Sequence, residues 1–447
     1  MTGGRATTVA LALLLIVGCT VERTSALGRP IDPRLGGGTT AKELRGRPFN
    51  QPARNLTNDE SRRFGVGADT FNRHTSVADG LGPIYNDDSC LSCHADGIAP
   101  VPEPSPSDVD QLPNTGLLLR LSLSGSGPDR SAIPEPTYGF QLQTDAVDGS
   151  TPEGHLHVSW TDIPGAYDDG TPYALRRPTI TAVDLRDGPM DPRVLTSARI
   201  APPMIGLGLL EAIAETTVVA AADPDDRDHD GISGRPNRVS DTLTGAVVLG
   251  RFGWKASQPS VRQQTVVALD QDLGVTTSDL PGDRGANPEM GSGALSDMVF
   301  YNRTIAVPVA RNTDQAQVRR GSATFQRIGC AACHTETQVT GPDQVDGLAD
   351  QTIHPYTDLL LHDLGPELAD GRPDGEATGN EWRTAPLWGL GHRAEVVGYG
   401  AFLHDGRART PTEAVLWHGG EAAAAADRFR ALDRQARDDL AAFLGSL

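Results

Sequence analysis

The placement of the cysteines constrains this chain more than any other feature. Of the five cysteines in 447 residues, four form two Cys-x-x-Cys-His motifs. The motifs consist of Cys90, Cys93 and His94, and of Cys330, Cys333 and His334. Two thiols about one helical turn apart can bond to the two vinyl groups of a haem, and the adjacent histidine can then bind the iron. The spacing therefore predicts two covalently bound haem c groups.

Zinc binding and thiol redox chemistry are the alternatives for a Cys-x-x-Cys pair. Zinc held by both pairs would leave His94 and His334 without a role. A thioredoxin-like disulfide follows a strand in a βαβ unit, and neither motif has that sequence context. The haem prediction uses both histidines and every cysteine except Cys19.

The fifth cysteine, Cys19, ends a short apolar run over residues 9–17. The run is shorter than the roughly 20 residues of a transmembrane helix and is typical of a signal peptide. Residues 16–19 (Ile-Val-Gly-Cys) match a bacterial lipobox, in which the cysteine is acylated; an ordinary signal peptide with an incidental cysteine is the alternative. The sequence predicts a lipoprotein signal peptide over 1–19 and a tether over 20–58. The mature protein is then periplasmic and lipid-anchored at the outer membrane.

The composition narrows the classes of partner. The net charge of −19 and the pI of about 4.9 argue against nucleic-acid binding, which needs a basic surface. The mean hydropathy of −0.32 excludes a polytopic membrane protein, so contact with the membrane is predicted through the lipid only. The acidic charge favours a redox partner protein with a basic or weakly charged surface, because opposite charges speed the encounter.

Helical patterns flank both motifs. Residues 316–328 carry apolar side chains at helical spacing and lead into the second motif, and residues 426–444 repeat apolar side chains at three- and four-residue steps. Residues 59–72 precede the first motif in a similar way. Strand-like runs, such as 115–123 and 155–160, lie between clusters of glycine, proline and aspartate.

These patterns predict a mainly α fold with two cytochrome c-like haem domains. A class I cytochrome c packs its first and last helices against each other around the haem. The predicted domains are residues 59–315 and 316–447. The first domain carries a large irregular insertion that contains some β structure.

Further segments resemble a known family. They are residues 80–83, 206–213, 250–256, 359–363, 382–389 and 403–408, and the last three are the most specific. They make the chain, from about residue 64 to its end, similar to the dihaem oxidoreductases labelled "thiol oxidoreductases", distant relatives of the bacterial dihaem cytochrome c peroxidases. The resemblance implies peroxide reduction at one haem and electron relay by the other. It also implies a carboxylate that assists proton transfer.

The resemblance implies positions for the remaining functional residues. In the related peroxidases the distal ligand of the C-terminal haem, often methionine, follows a helix that starts near Glu-Ala-Val. Here His418 holds that position and is the predicted ligand, with His362 and His404 as alternatives. Glu211 is the predicted acid–base carboxylate, unless it is a helix-end or salt-bridge residue. Met204 can ligate the first haem or fill the core.

An acidic segment predicts calcium binding. Asp226, Asp228 and Asp230 alternate ahead of a glycine, as at the start of an EF-hand loop, and the carbonyl of Ile232 can add a ligand. The twelfth position is Asn237 rather than glutamate, so the EF-hand is incomplete. A solvated acidic turn is the alternative.

The predicted function is that of a periplasmic dihaem c-type oxidoreductase of the peroxidase kind, which reduces hydrogen peroxide with electrons from a redox partner. The alternative is a dihaem electron-transfer protein without its own substrate, serving a metal-uptake or respiratory partner. The family resemblance favours the enzyme. A second haem with two histidine ligands favours the carrier, because methionine ligation raises the reduction potential and histidine does not.

Overall fold

The computed structural model describes Met1 and residues 28–41, 48–94, 116–127, 132–281, 287–393 and 400–447. Beyond Met1, the predicted signal peptide with Cys19 lies outside the described residues, as does part of the predicted tether. None of the helices in these ranges combines the length and apolar character needed to cross a membrane.

Helices and short strands alternate along the chain. The helices are α1 (Asn58–Asn72), α2 (Cys90–Cys93), α3 (Leu207–Ala212), α4 (Glu215–Ala220), α5 (Val261–Leu273), α6 (Ser292–Thr304), α7 (Ala316–Ile328), α8 (Pro411–Trp417), α9 (Ala423–Arg430) and α10 (Arg434–Leu444). The strands are β1 (Ile84–Tyr85), β2 (Leu117–Ser126), β3 (Ala132–Ile133), β4 (Asp145–Ala146), β5 (His155–Ala166), β6 (Pro172–Val183), β7 (Leu195–Ile200), β8 (Arg238–Ser240), β9 (Val247–Leu249), β10 (Gln338–Val339), β11 (Thr352–Ile353), β12 (Leu361–Asp363) and β13 (Glu381–Arg383).

The prediction of a mainly α fold is wrong. The chain is 30% helical and 20% strand, with several small sheets, so the fold is mixed α and β. Strands β5 and β6 form an antiparallel hairpin that runs from His155 opposite Val183 to Ala166 opposite Pro172. Strand β2 lies between β3 and β7 in a three-stranded sheet. The insertion is thus built from strands whose ladders satisfy the backbone polar groups, and the glycine, proline and aspartate clusters connect them.

The same helix crossing occurs twice, once ahead of each motif. Helix α1 packs on α6, and α7 packs on α10. A Cβ atom on Gly67 would lie 2.2 Å from the Asp297 carbonyl oxygen, and a Cβ atom on Gly321 would lie 2.0 Å from the Asp439 carbonyl oxygen. Only glycine allows the backbones to approach this closely. Helix α6 therefore packs on the helix before the first motif as α10 packs on the helix before the second motif. The β-rich insertion lies between α1 and α6 in the sequence.

Local signals set the ends of the two leading helices. Helix α7 has the predicted bounds, and this prediction is confirmed. Gly329, at φ 97°, ends α7 in the left-handed region and turns the chain into Cys330. The predicted helix before the first motif is also confirmed as α1, whose start is fixed by a capping box of Thr57 and Glu60.

The C-terminal segment differs from its prediction. One helix was expected over residues 426–444, but α9 ends at Arg430 and α10 starts at Arg434. The Asp433 side chain accepts a hydrogen bond from the Ala436 backbone N–H at 2.8 Å and caps α10. The apolar periodicity continues across this break, which is why the sequence predicts a single helix.

One apolar cluster passes through both crossings. It contains Phe71 and Tyr301 from the first crossing, and Phe325 and Phe443 from the second. The ring centroids are 5.2 Å apart in the first pair and 5.3 Å apart in the second. Aromatic pairs at this separation stabilise the packing beyond the burial of their area. The shared cluster holds the two motif-bearing regions in one core.

Candidate haem-binding cavity

Both motifs line one interior cavity of about 530 Å³. All six predicted attachment residues border it, namely Cys90, Cys93, His94, Cys330, Cys333 and His334. Apolar side chains such as Leu269, Leu273 and Leu440 form much of the remaining wall. The fold thus brings the two distant motifs to a single enclosed space with walls that suit an apolar macrocycle.

The two motif histidines have matching surroundings. Each ring lies beside a helix phenylalanine, with centroids 6.2 Å apart for Phe71 and His94 and 6.3 Å apart for Phe325 and His334. Burial lowers the pKa of both histidines to about 4, so both rings are neutral at pH 7. Nδ1 of His334 lies 2.9 Å from the Tyr356 carbonyl oxygen and donates to it in the tautomer that leaves Nε2 free. A neutral ring oriented in this way is suited to bind iron.

At His94 the corresponding carbonyl belongs to Pro202. The Pro202 carbonyl offsets part of the lowering of the His94 pKa that burial causes. Nδ1 of His94 nevertheless has no partner with full hydrogen-bond geometry among the described residues. Pro202 also lines the cavity. The first motif therefore has the same backbone arrangement as the second in a looser form.

Three of the four motif cysteines do not have the surroundings of redox-active thiols. Burial raises the pKa of Cys90 and Cys330 to about 12, and it raises the pKa of Cys93 well above its ordinary value. Thiols that react as nucleophiles or bind zinc have lowered pKa values instead. The donor set fits thiols that serve as attachment points.

The predicted distal ligand His418 lines the cavity at the end of α8. Its Nδ1 lies 2.6 Å from the Ala414 carbonyl oxygen, to which it can donate. Burial lowers the pKa of His418, so the ring is neutral. The ring can therefore offer Nε2 as a ligand, and its role at the iron stays a prediction.

The two alternative ligands are engaged differently. His362 lies between two carboxylates, with Nε2 2.9 Å from Asp358 and Nδ1 2.7 Å from Glu421. Burial disfavours its charged form, but these hydrogen bonds outweigh burial and raise the pKa of His362 to about 12. A doubly protonated ring has no lone pair for iron. His404 instead stacks on Trp382 at a centroid distance of 3.8 Å.

Carboxyl groups face the cavity near the first motif. Asp87 and Asp272 both line it, and burial raises the pKa of each. The Asp272 carboxylate accepts a hydrogen bond from Gln141 Nε2 at 2.7 Å. Asp272 was missed in the sequence, where the available signal was its four-residue spacing from Gln264 and Ala268 on one face of α5. Met204 lines the same wall.

The predicted acid–base residue Glu211 does not line the cavity. Its carboxylate accepts a hydrogen bond from the Val261 backbone N–H at 2.8 Å and forms an ion pair with Arg303. These contacts join α3 to the start of α5 and to α6. This placement favours a structural role for Glu211.

The predicted calcium ligands lie on one loop. Carboxylate oxygens of Asp226, Asp228 and Asp230 lie within 4.8 Å of one another. Ile232 follows in the same loop and borders the cavity. The twelfth-position Asn237 is buried elsewhere, where its side-chain amide donates to the carbonyls of Lys255 and Asp374. The three aspartates are therefore near enough to share an ion without Asn237.

Comparisons with known proteins place these observations in a family. The comparison with curated proteins gave no match. Among solved structures, a chain of Kuenenia stuttgartiensis hydrazine synthase, pressurised with 20 bar xenon, is similar with a TM-score of 0.38 and 14% sequence identity, over 99% of this chain and 100% of that chain. The sequence model of a family described as "Di-haem oxidoreductase, putative peroxidase" matches residues 164–290 and 279–447, more than half of the chain. A family of this kind implies two haems, and the chain belongs to these dihaem oxidoreductases.

Proposed function

We propose that this chain is a c-type dihaem oxidoreductase that reduces hydrogen peroxide. Cys90, Cys93 and His94 would hold one haem, and Cys330, Cys333 and His334 would hold the other. When bound at these residues, the two haems would supply the chemistry of peroxide reduction and of electron transfer. The observation that carries the proposal is the single cavity, which both motifs share and which differs in chemistry at its two ends.

The first motif is the proposed site of peroxide reduction, because acid groups face the cavity there. The raised pKa of Asp272 means that its carboxyl keeps a proton at higher pH than an ordinary aspartate. Gln141 fixes one oxygen of this carboxyl. Asp272 can thus hold a proton and deliver it inside the cavity.

The second motif is the proposed site of electron entry. His418 offers a neutral ring to the same cavity, and it would complete the coordination of the iron that His334 holds. An iron with two protein ligands exchanges electrons but does not bind peroxide. Acid groups near the first motif and a second neutral histidine near the other support different roles for the two motifs, namely peroxide reduction and electron entry.

Covalent attachment and calcium binding are parts of the same proposal. The position of all four motif cysteines at the cavity wall, each pair next to a buried histidine, supports attachment. The carboxylates of Asp226, Asp228 and Asp230, which lie close enough to share one ion, support a calcium site.

The proposed location is the periplasm, with a lipid on Cys19 as the membrane contact. C-type haem is attached outside the cytoplasm, so two such motifs accord with an exported chain. The net charge of −19 favours an electron donor with a basic or weakly charged contact surface.

Peroxide turnover by the fully haem-loaded protein tests the function. Asp272→Asn should lower turnover by about 10² to 10⁴, the usual contribution of a general acid. Asp270→Asn is the matched control, because Asp270 lies on the same helix with a pKa raised by burial but does not line the cavity. Full activity in D272N would exclude the proton-transfer role. A wild-type protein with two haems and no peroxide turnover would instead favour the electron-transfer alternative.

A further inference from the structure

Two arginines in the cavity wall lack an acidic partner. Arg383 uses Nε and Nη1 to donate to the backbone carbonyls of Gly253 and Thr384, each at 3.1 Å. Arg393 donates from Nη2 to the Ala401 carbonyl at 2.6 Å. Its Nε is buried without a hydrogen-bond partner, and its side chain is 94% buried. Within the described ranges, no carboxylate forms an ion pair with either residue.

Some other buried arginines of this chain form ion pairs. Arg199 and Arg372 both contact the carboxylate of Asp374, at 2.6 and 2.5 Å, and Arg407 contacts Asp405 at 2.7 Å. Buried charges are normally paired, because an isolated charge loses its hydration without compensation. Arg251 is also buried on a backbone carbonyl, but only Arg383 and Arg393 of these three line the cavity, and their position there points to an anionic ligand.

Burial affects the protonation of both guanidinium groups. It lowers the pKa of Arg383 and of Arg393 to about 10. Both remain charged at pH 7, and both line the cavity. A carboxylate within the cavity would restore the lost stabilisation, because guanidinium and carboxylate form strong charge-assisted hydrogen bonds.

The segment that carries both arginines runs along the second motif. The carbonyl next to Arg383, that of Thr384, accepts a hydrogen bond from the Thr357 hydroxyl at 2.6 Å, and the Thr357 N–H donates to the Thr335 carbonyl, beside His334, at 3.0 Å. Leu387, between the two arginines, donates to the Pro355 carbonyl at 2.9 Å. The segment that begins at Arg383 is thus hydrogen-bonded to the backbone beside the second motif, and Arg393 lines the same cavity.

We propose that Arg383 and Arg393 bind the propionate carboxylates of the haem held at the second motif. This inference rests on the proposed function, which supplies the haem. The Nε of Arg393, which has no hydrogen-bond partner among the described residues, and the Nη2 of Arg383 would be the donors to these carboxylates. The two positive guanidinium groups match the two negative propionates of one haem. The alternative ligand with the same chemistry is a free carboxylate substrate.

The test is the pH dependence of the reduction potential of the purified dihaem protein. A cation within about 4–6 Å lowers the pKa of a carboxylate by about 1–3 units, so its loss raises that pKa by the same amount. In Arg383→Gln and Arg393→Gln, the pH at which the potential of one haem begins to change should therefore rise by about 1–3 units. Arg383→Lys and Arg393→Lys keep the charge and should stay near the wild-type value.

Arg251→Gln is the matched control. Arg251 is buried, its pKa is lowered by burial, and it donates to the Leu210 carbonyl, but it does not line the cavity. Arg251→Gln should leave unchanged the pH at which the haem potential begins to change, which we call the inflection. An inflection in R383Q and R393Q that equals the one in R251Q would overturn the proposal.

Two further measurements separate the possible failures. A pyridine haemochrome assay counts haem, and a count below two per chain in the wild type would overturn the proposed function and this inference together. Two haems without peroxide turnover would refute only the proposed function, because the shifted inflection can still be measured. If R383Q and R393Q abolish binding of added acetate but leave the inflection unchanged, the ligand is a free carboxylate and the propionate assignment is wrong.

Discussion

Replacing Gly67 by alanine tests the close crossing of α1 and α6, on which the position of the first motif depends. An added Cβ would lie 2.2 Å from the Asp297 carbonyl oxygen and 2.6 Å from the Cβ of Tyr301. Ordinary van der Waals contact begins at 3.4 Å, so the two helices would have to separate by more than 1 Å. The clash is with backbone, and no flexible side chain can absorb it.

The expected loss follows from two opposing terms. Forcing a methyl group into a closed contact costs about 1–3 kcal/mol, whereas alanine favours a helix over glycine by about 1 kcal/mol. Because the obstacle is a carbonyl group, we expect the upper part of the range and a net loss of about 1–2 kcal/mol in the free energy of unfolding. Phe71, one turn further along α1, would move away from His94, with which it is in ring contact.

Gly65→Ala is the control on the same helix. No atom lies within 4 Å of a Cβ at Gly65, so the substitution should stabilise the protein by up to about 1 kcal/mol. Urea unfolding, followed by far-UV circular dichroism and haem absorbance, gives the midpoints of the two variants. A G67A midpoint at or above that of G65A would refute the close crossing.

Three other predictions concern the cavity and the loop beside it. His418→Ala should convert one ferric haem to the high-spin state in the oxidised protein; an unchanged low-spin spectrum would exclude His418 as a ligand. His362 has a pKa raised from 6.5 to about 12, so its protonated form stabilises the fold fully below pH 6.5, and this stabilisation is lost as the pH rises toward 12. His362→Gln should therefore destabilise the protein more near pH 6 than near pH 9, and an equal loss at both would contradict this assignment. Asp228→Ala should abolish calcium binding in titration calorimetry, whereas Asp225→Ala, outside the carboxylate cluster, should retain it.

The sequence predicted the parts of the site that depend on short spacings. The two Cys-x-x-Cys-His motifs and the helix over residues 316–328 are local patterns, and the structure places both motifs at one cavity. The packing of α6 on α1 was not predicted, because the β-rich insertion separates the two helices in the sequence. A signal was present: Gly67 and Phe71 share the spacing Gly-x-x-Thr-Phe with Gly321 and Phe325, which pack on α10 in the same way.

The remaining differences between the predicted and the observed site arise from the burial of side chains and from their ion pairs, which short sequence patterns do not show. Glu211 was an attractive acid group in the sequence, but its carboxylate is held by Arg303 and the start of α5. Asp272 carried no motif, yet folding directs it to the cavity. Likewise, nothing in the sequence separates Arg383, which forms no ion pair among the described residues, from Arg407, which is paired with Asp405.

Low-temperature EPR of the purified dihaem protein tests the central claim most directly. The protein would be measured fully oxidised and then half-reduced, with and without calcium. We expect a high-spin ferric haem, present at the start or formed on half-reduction, whose signal is lost when peroxide is added. Two low-spin haems in every state, unchanged by peroxide, would contradict peroxide reduction and leave an electron-transfer protein.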